Sequence, residues 1–294
     1  MNNYLKLHIS VLLAGFTGIF GKLISLNEGL LVFYRLWFAF LILSVLFFIV
    51  KKIPKESFAD VVKLMGVGGL LALHFLLFYG SIKYANVSVG VVCYSLVGFF
   101  TVILEPLIEK CKFSWTDLCY SLVAVLGIGL IFNFDTQNRF GIMLGVLSAF
   151  VFALYTIYNK IIDKPSKSML FYELGGGALF VTLIMPFYLF HYPVKTLLPC
   201  LSDFYYLIIL AFFCTIGLYI LHIQVLKTIS PFTVSLCGNL EPIYGIGIAM
   251  IFLGEAKELN PAFYIGMFLI LASVFLQSFA KHLSMKKRVL QKEY

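Results

Sequence analysis

Ten stretches of this chain are almost wholly apolar and long, roughly 5–25, 29–50, 61–82, 86–108, 115–133, 140–160, 168–190, 203–226, 231–254 and 261–280. About 20 apolar residues, rising about 1.5 Å each, is the length that carries a helix across the hydrocarbon of a bilayer. Backbone N–H and C=O groups in lipid must be satisfied within the segment, so stretches of this length read as helices. Each is bounded by charge, Pro or Asn/Asp, and the connections are too short to hold a water-soluble domain. The expected fold class is an all-α membrane protein with ten transmembrane helices. Composition agrees: 61% of the 294 residues are hydrophobic and 12% charged, too little charge to cover a soluble protein of this size.

The net charge of +8 does not form a docking face for nucleic acid, because Lys and Arg sit in the connections and in the tail Lys281–Lys292. That is the pattern of loops beside anionic lipid, so the bilayer is the expected partner and nucleic acid is not. With the N-terminus inside, the inner segments carry 16 Lys and Arg and the outer connections carry 4, Lys83, Arg139, Lys195 and Lys257. The asymmetry predicts a multi-pass protein of the cell (inner or plasma) membrane with both termini cytoplasmic. The opening "MNNYLKLHISVLLAGFTGIFGK" has one Lys before an apolar stretch, as signal peptides do, but it lacks a small-x-small cleavage site and reads as a retained first helix. The six cysteines show no CxxC spacing and read as small hydrophobes, with no disulfide, metal or other cofactor implied.

The chain repeats itself. "KLISLNEGLLVFYRL" (22–36) lies against "KIIDKPSKSMLFYEL" (160–174), and "IKYANVSVGVVCYSL" (82–96) against "LKTISPFTVSLCGNL" (226–240), at offsets of 138 and 144. The expected division is 1–138 and 139–280, two five-helix repeats, followed by a basic tail, 281–294. Five is odd, so the second repeat enters the membrane with the opposite orientation. Two inverted repeats about an axis in the membrane plane is the architecture of alternating-access transporters.

The segment "LKTISPFTVSLCGNLEPIYGIGIAMIFLGE" (226–255), with Ser-Pro at the helix start, Glu-Pro in the middle and Gly-Glu at the end, resembles the repeat ending of the drug/metabolite transporter superfamily, EamA-like branch. The ten-span length and the duplication resemble it too, over nearly the whole chain. The first-half copy, 82–110, lacks the Ser-Pro and the mid-helix Pro and carries its Glu-Pro at 105–106. The resemblance implies the ten-helix inverted-repeat fold and transport of a small molecule, in a family whose members move very different solutes.

Ionisable side chains inside the apolar stretches are the candidate site residues, because they are costly in hydrocarbon and tend to face a bundle interior or a wet cavity. Glu241 lies about ten residues into its span, near the midplane, and Pro242 is expected to kink the helix and free a carbonyl one turn back. Together they suit a solute amine or a proton; the alternative is a kink with an internal salt bridge. Gly238, Tyr244 and Gly245 share that face. Arg35 could clamp a carboxylate or phosphate, or else snorkel outward or pair with Glu28. Glu173, its counterpart in the second half, reads as structural, and Lys22 as snorkelling. His74 stands alone in an apolar run, either hydrogen-bonded to a neighbouring helix or serving binding and proton relay. His222 is expected near interfacial water. Polar stripes Ser148–Tyr155–Asn159, Thr215–Tyr219–His222 and Ser88–Ser95 could be glue between helices or the wall of an aqueous path. Gly15, Gly18 and Gly21, Gly66, Gly68 and Gly69, and Gly175–Gly177 suit close helix contacts, sliding or static.

These features point to a secondary active transporter, an exporter of a small metabolite such as an amino acid or drug, with Glu241, His74, Arg35, Ser95, Tyr155, Asn159, Tyr219 and Tyr244 as substrate-binding residues. If transport is coupled to a proton, Glu241 is its first candidate carrier. No Walker motif is present, and no HExxH, GxSxG or paired-aspartate motif supports an enzyme. A membrane-embedded enzyme and a channel or scaffold subunit are the alternatives.

Overall fold

The computed structural model describes residues 2–134, 137–192, 194, 196–238, 240–252, 254 and 261–290. Lys195, Glu255, Lys257 and the last four residues of the basic tail lie outside them. Helix runs through each of the ten apolar stretches, and no strand occurs among the described residues. The first three stretches are single helices: α1 (Asn3–Leu23), α2 (Glu28–Ile49) and α3 (Phe58–Tyr84). Their starts are set by short polar residues. The side chains of Asn2, Asn27 and Ser57 accept the free N–H groups of Tyr4, Leu30 and Asp60.

The fourth stretch is two helices, α4 (Val87–Tyr94) and α5 (Val97–Glu109), and α6 follows (Trp115–Phe134). After α7 (Arg139–Ile161) and α8 (Ser166–His191), the eighth stretch runs α9 (Leu201–Ala211), a π-helical turn (Phe212–Gly217) and α10 (Leu218–Leu226). The ninth again splits, into α11 (Pro231–Gly238) and α12 (Glu241–Phe252), and α13 spans Pro261–Leu290. Among the described residues, seven helical runs are long and apolar enough to cross a membrane, counting α4–α5 and α9–α10 as one run each. Three further apolar helices, Trp115–Ile131, Glu241–Phe252 and Pro261–Ser273, are shorter.

The two splits correspond residue for residue. An offset of 144 carries Val87–Tyr94 onto Pro231–Gly238 and the first residue of α5, Val97, onto the first of α12, Glu241. At the first break, Ser95 and Leu96 donate only three residues back, to Val92 and Cys93, at 3.0 and 3.1 Å. At the second, Leu240 donates to Cys237 at 3.0 Å. The expected kink at Pro242 therefore needs correction. Pro242 sits in the first turn of α12, where its missing N–H breaks no helical bond, and the first half breaks at the matching position with Gly98 in that place. A break at this position therefore does not require proline.

Helices of the first part pack mainly on helices of the second. α3 lies between α7 and α8, α1 against α10 and α12, α2 against α8 and α9, and α4 against α7 and α12. Glycine sets the closest approaches. A methyl group at Gly68 would fall on the backbone carbonyl of Glu173, and one at Gly176 on the backbone of Met65, so α3 and α8 touch main chain to main chain. α6 meets α13 at Gly127 and Gly266, where each glycine's missing Cβ would come within 2.6 Å of the other's carbonyl oxygen.

Candidate functional site

A small internal cavity lies where α1, α3, α4, α7, α10, α11 and α12 converge. The break between α11 and α12 puts Glu241 at its wall as the first residue of α12, buried at 4% exposure. α3 contributes His74, Phe75 and Phe78, α4 Tyr94, and α7 Phe152. α10 contributes Tyr219 and His222, while Ser10, Thr17 and Ser235 add hydroxyls. The volume is about 40 Å³, room for a few water molecules and far less than a metabolite needs.

The candidate residues divide into two groups. Glu241, His74 and Tyr219 share this wall. Arg35, Ser95, Tyr155 and Asn159 are buried outside its lining, and Tyr244 is 36% exposed, its Cβ position crowding Gly15. His74 Nδ1 lies 2.8 Å from the Ser148 hydroxyl on α7, so its ring is held by a neighbouring helix while it forms wall. Tyr155 donates to Glu173 at 2.9 Å and Asn159 to the Tyr155 carbonyl at 3.2 Å. The polar stripe of α7 is thus spent on contacts between and within helices. His222 was expected near interfacial water; instead it is 7% exposed at the cavity, its Nε2 without a hydrogen-bond partner. Tyr94 is the missed wall residue with a signal in the sequence, since the offset of 144 makes it the counterpart of Gly238, which also lines the cavity.

Arg35 neither snorkels nor pairs with Glu28. It has no measurable exposure, because its fork finds acceptors inside. Nε donates to Thr215 Oγ1 (2.8 Å), Nη1 to the Tyr79 hydroxyl (2.6 Å) and Nη2 to the Cys214 carbonyl (2.8 Å). The π-helical turn explains that carbonyl. Leu218 N–H reaches back to Phe213 instead of Cys214, which frees the Cys214 oxygen for the guanidinium. The guanidinium carbon stands 3.7 Å from the centroid of Phe75, a cation–π stack on the side wall of the cavity. Glu28 instead accepts from Tyr188 at 2.7 Å.

Both ends of the bundle are tied. At the lysine-rich end, Lys164 between α7 and α8 donates to Asp60 at 2.6 Å and Glu56 at 2.8 Å, and Lys227 donates to the Ile162 carbonyl. Asp60 and Glu56 hold the Lys164 ammonium well above the usual lysine range, whereas burial pushes Lys227 below it. At the opposite end, Asp203 accepts from the Ser25 N–H (2.9 Å) and hydroxyl (2.6 Å) between α1 and α2, and Lys83 donates to the Ile24 carbonyl. Each tie borders a surface cleft, about 560 Å³ beside Asp60 and Lys164 and about 390 Å³ beside Ser25 and Asp203.

Comparison with known proteins gives a consistent picture. A sequence model of the EamA-like transporter family matches residues 3–133 and again 139–279. An "Uncharacterized transporter" of Haemophilus influenzae is 29% identical over 172 residues, 54% of this chain and 56% of that one, so the match spans about half of the relative's length. "GDP-fucose transporter 1" of Dictyostelium discoideum is 26% identical over 273 residues, 87% of this chain and 73% of that one. A solved crystal structure superposes with TM-score 0.64 over 92% of this chain and 95% of its own, at 14% identity, a likeness of fold alone.

Proposed function

Since the chain belongs to the EamA-like transporter family and is a multi-pass membrane transporter, we propose that it is a secondary carrier. It moves a small metabolite, in the export direction, by alternating access to the Glu241 cavity. The two repeats are read as 1–138 and 139–280, each of five helices and inverted with respect to the other, with 281–294 a basic cytoplasmic tail. The double match of the family model, 3–133 and 139–279, supports the division. Opposite directions of travel support the inversion. α1 begins beside Thr228, where Asn3 donates to its hydroxyl at 2.9 Å, whereas its counterpart α7 ends at that same lysine-rich end, where Lys227 meets Ile162.

The single observation that supports the mechanism is a cavity of about 40 Å³ at Glu241 lying between two tied ends of the bundle. A channel needs a continuous path; a carrier needs a pocket closed on at least one side at all times. Release of the Asp60–Lys164 tie would open the cavity toward the lysine-rich side, and release of Asp203–Ser25 toward the other. Glu241, His74 and Tyr219 are the direct contacts in this reading. Arg35, Tyr155, Asn159 and Ser95 shape the pocket from behind, and Tyr244 packs α12 on α1.

A nucleotide-sugar carrier is the second reading, from the name of the Dictyostelium relative. A diphosphate calls for Lys or Arg on the wall, and among the described residues none lines this cavity. A thermal-shift metabolite screen on purified protein, then flux of the hits in proteoliposomes of defined orientation, tests the proposal. Saturable flux that is lost in Glu241→Gln is expected, and unsaturable conductance would make the protein a channel.

A further inference from the structure

We propose that the Glu241 cavity recognises a small organic cation, a single ammonium group on an apolar and preferably aromatic body. The inference rests on the reading of this cavity as the solute's site and names the class of solute. Glu241 is the one charged residue on the wall among the described residues. Its carboxylate makes no hydrogen bond or ion pair with any described residue, although it is 4% exposed. The other two buried acids each have a partner: Ser25 donates to both oxygens of Asp203, and Tyr155 donates to Glu173 Oε2, leaving Glu173 Oε1 alone without one. A buried carboxylate without a partner is among the costliest arrangements a protein can keep. Kept at a cavity wall, it marks the place of a counter-charge that arrives and leaves.

The rest of the wall suits the same class. The Phe152 ring has the rings of His74, Tyr94 and Tyr219 at 4.6, 5.2 and 6.4 Å between centroids, so the aromatic residues form one continuous surface. Ring faces attract ammonium groups through their quadrupoles. His222 Nε2, buried and without a partner, offers a second polar point for a hydroxyl or amine hydrogen of the solute. Anions are turned away by the same geometry, because Arg35 lies behind Phe75 with three N–H groups already given to protein acceptors. Its fixed positive charge also limits the solute. One fixed cation and one carboxylate leave no counter-charge for a second ammonium group.

The test uses a matched pair of probes on purified wild-type protein, tyramine and 4-hydroxyphenylacetate, which share a phenol ring and differ in the sign of their charge. Two readouts are taken, the thermal unfolding midpoint and the rate at which dicyclohexylcarbodiimide modifies Glu241, followed by mass spectrometry. Tyramine is expected to raise the midpoint and slow modification severalfold, 4-hydroxyphenylacetate to do neither, and Glu241→Gln to abolish the tyramine shift. Modification is read on the wild type, so misfolding of the variant would not rescue the proposal. Protection by the anion equal to that by the amine, a tyramine shift that survives Glu241→Gln, or no effect of either probe overturns it. Protection by tyramine without its flux in proteoliposomes would overturn the transport reading and leave the cation site standing. Saturable flux of an anion without protection by tyramine would do the reverse.

Discussion

Asp60 and Asp203 each stand third in their helices, α3 and α9, and each accepts hydrogen bonds from the connection after the first helix of the opposite half. Asp60 takes Lys164, and Asp203 takes Ser25. The supporting bonds follow the same pattern, with Lys83 and Lys227, 144 positions apart, donating to Ile24 and Ile162, 138 positions apart. The two ends of the bundle are tied by equivalent parts, but in different chemistry. The lysine-rich end is held by an ion cluster and the other by a neutral donor on a carboxylate.

That difference predicts unequal responses to salt. Exposed ion pairs are screened over about 8 Å at physiological ionic strength, so salt should loosen the Lys164 end first. A reporter cysteine at Ser235, with the exposed Cys111, Cys119 and Cys200 replaced, should react severalfold faster with a membrane-impermeant maleimide in Lys164→Ala, and from the lysine-rich side. Ser25→Ala should raise reactivity from the opposite side. Lysine titration does not open this end near neutrality. The folded-state value of Lys164 is raised, so its contribution is complete below the ordinary lysine value and fades only as pH climbs past it. In the reporter protein with Lys164 intact, the labelling rate corrected for the thiolate fraction should be flat between about pH 6 and 9.

Gly68 and Gly66 are two residues apart on α3 and predict opposite outcomes. A methyl at Gly68 meets the Glu173 backbone, which cannot give way as a side chain could, while a methyl at Gly66 meets nothing within 4 Å. Gly68→Ala should cost about 3 kcal/mol. Gly66→Ala should be neutral or stabilise by up to about 1 kcal/mol. Unfolding midpoints in one detergent compare them directly.

Arg35→Lys removes a three-way fork and leaves one ammonium to serve acceptors on α3 and on the π-helical turn. Loss of stability on the order of 3 kcal/mol is expected. Thr215→Val should cost less, because the bonds from Arg35 to Tyr79 and to the Cys214 carbonyl survive it.

Pro242→Ala should leave the α11–α12 break where it is, as the first half breaks at Ser95–Leu96 without proline. Distances between spin labels on α11 and α12 should match the wild type, and flux should persist.

How much of this could be read beforehand depended on range. Helix in each apolar stretch follows from length and hydropathy, which are local. The matching breaks after Tyr94 and Gly238 were half visible, as the offset of 144 relates them, but the only local signal was Pro242, and it marks the second break alone. Arg35 was misjudged because its partners stand 44 residues away at Tyr79 and about 180 away at Cys214 and Thr215. The π-helical turn "FFCTIG" that frees one of them has no local mark. His222 looked peripheral by its distance from the end of the stretch, but α10 turns that face inward. Lys164, Asp60 and Asp203 looked like ordinary connection charges, and only the folded chain brings each to the opposite half.

Alternating closure of the two ends is tested most directly by locking one of them. In a background without the native cysteines, Ser25→Cys/Asp203→Cys places two thiols where a hydroxyl and a carboxylate now meet at 2.6 Å. Counterflow of a solute found by the screen is then measured in proteoliposomes, oxidised and after reduction. Flux that stops when the disulfide forms and returns on reduction is the predicted result. Undiminished flux through the oxidised protein would contradict the account.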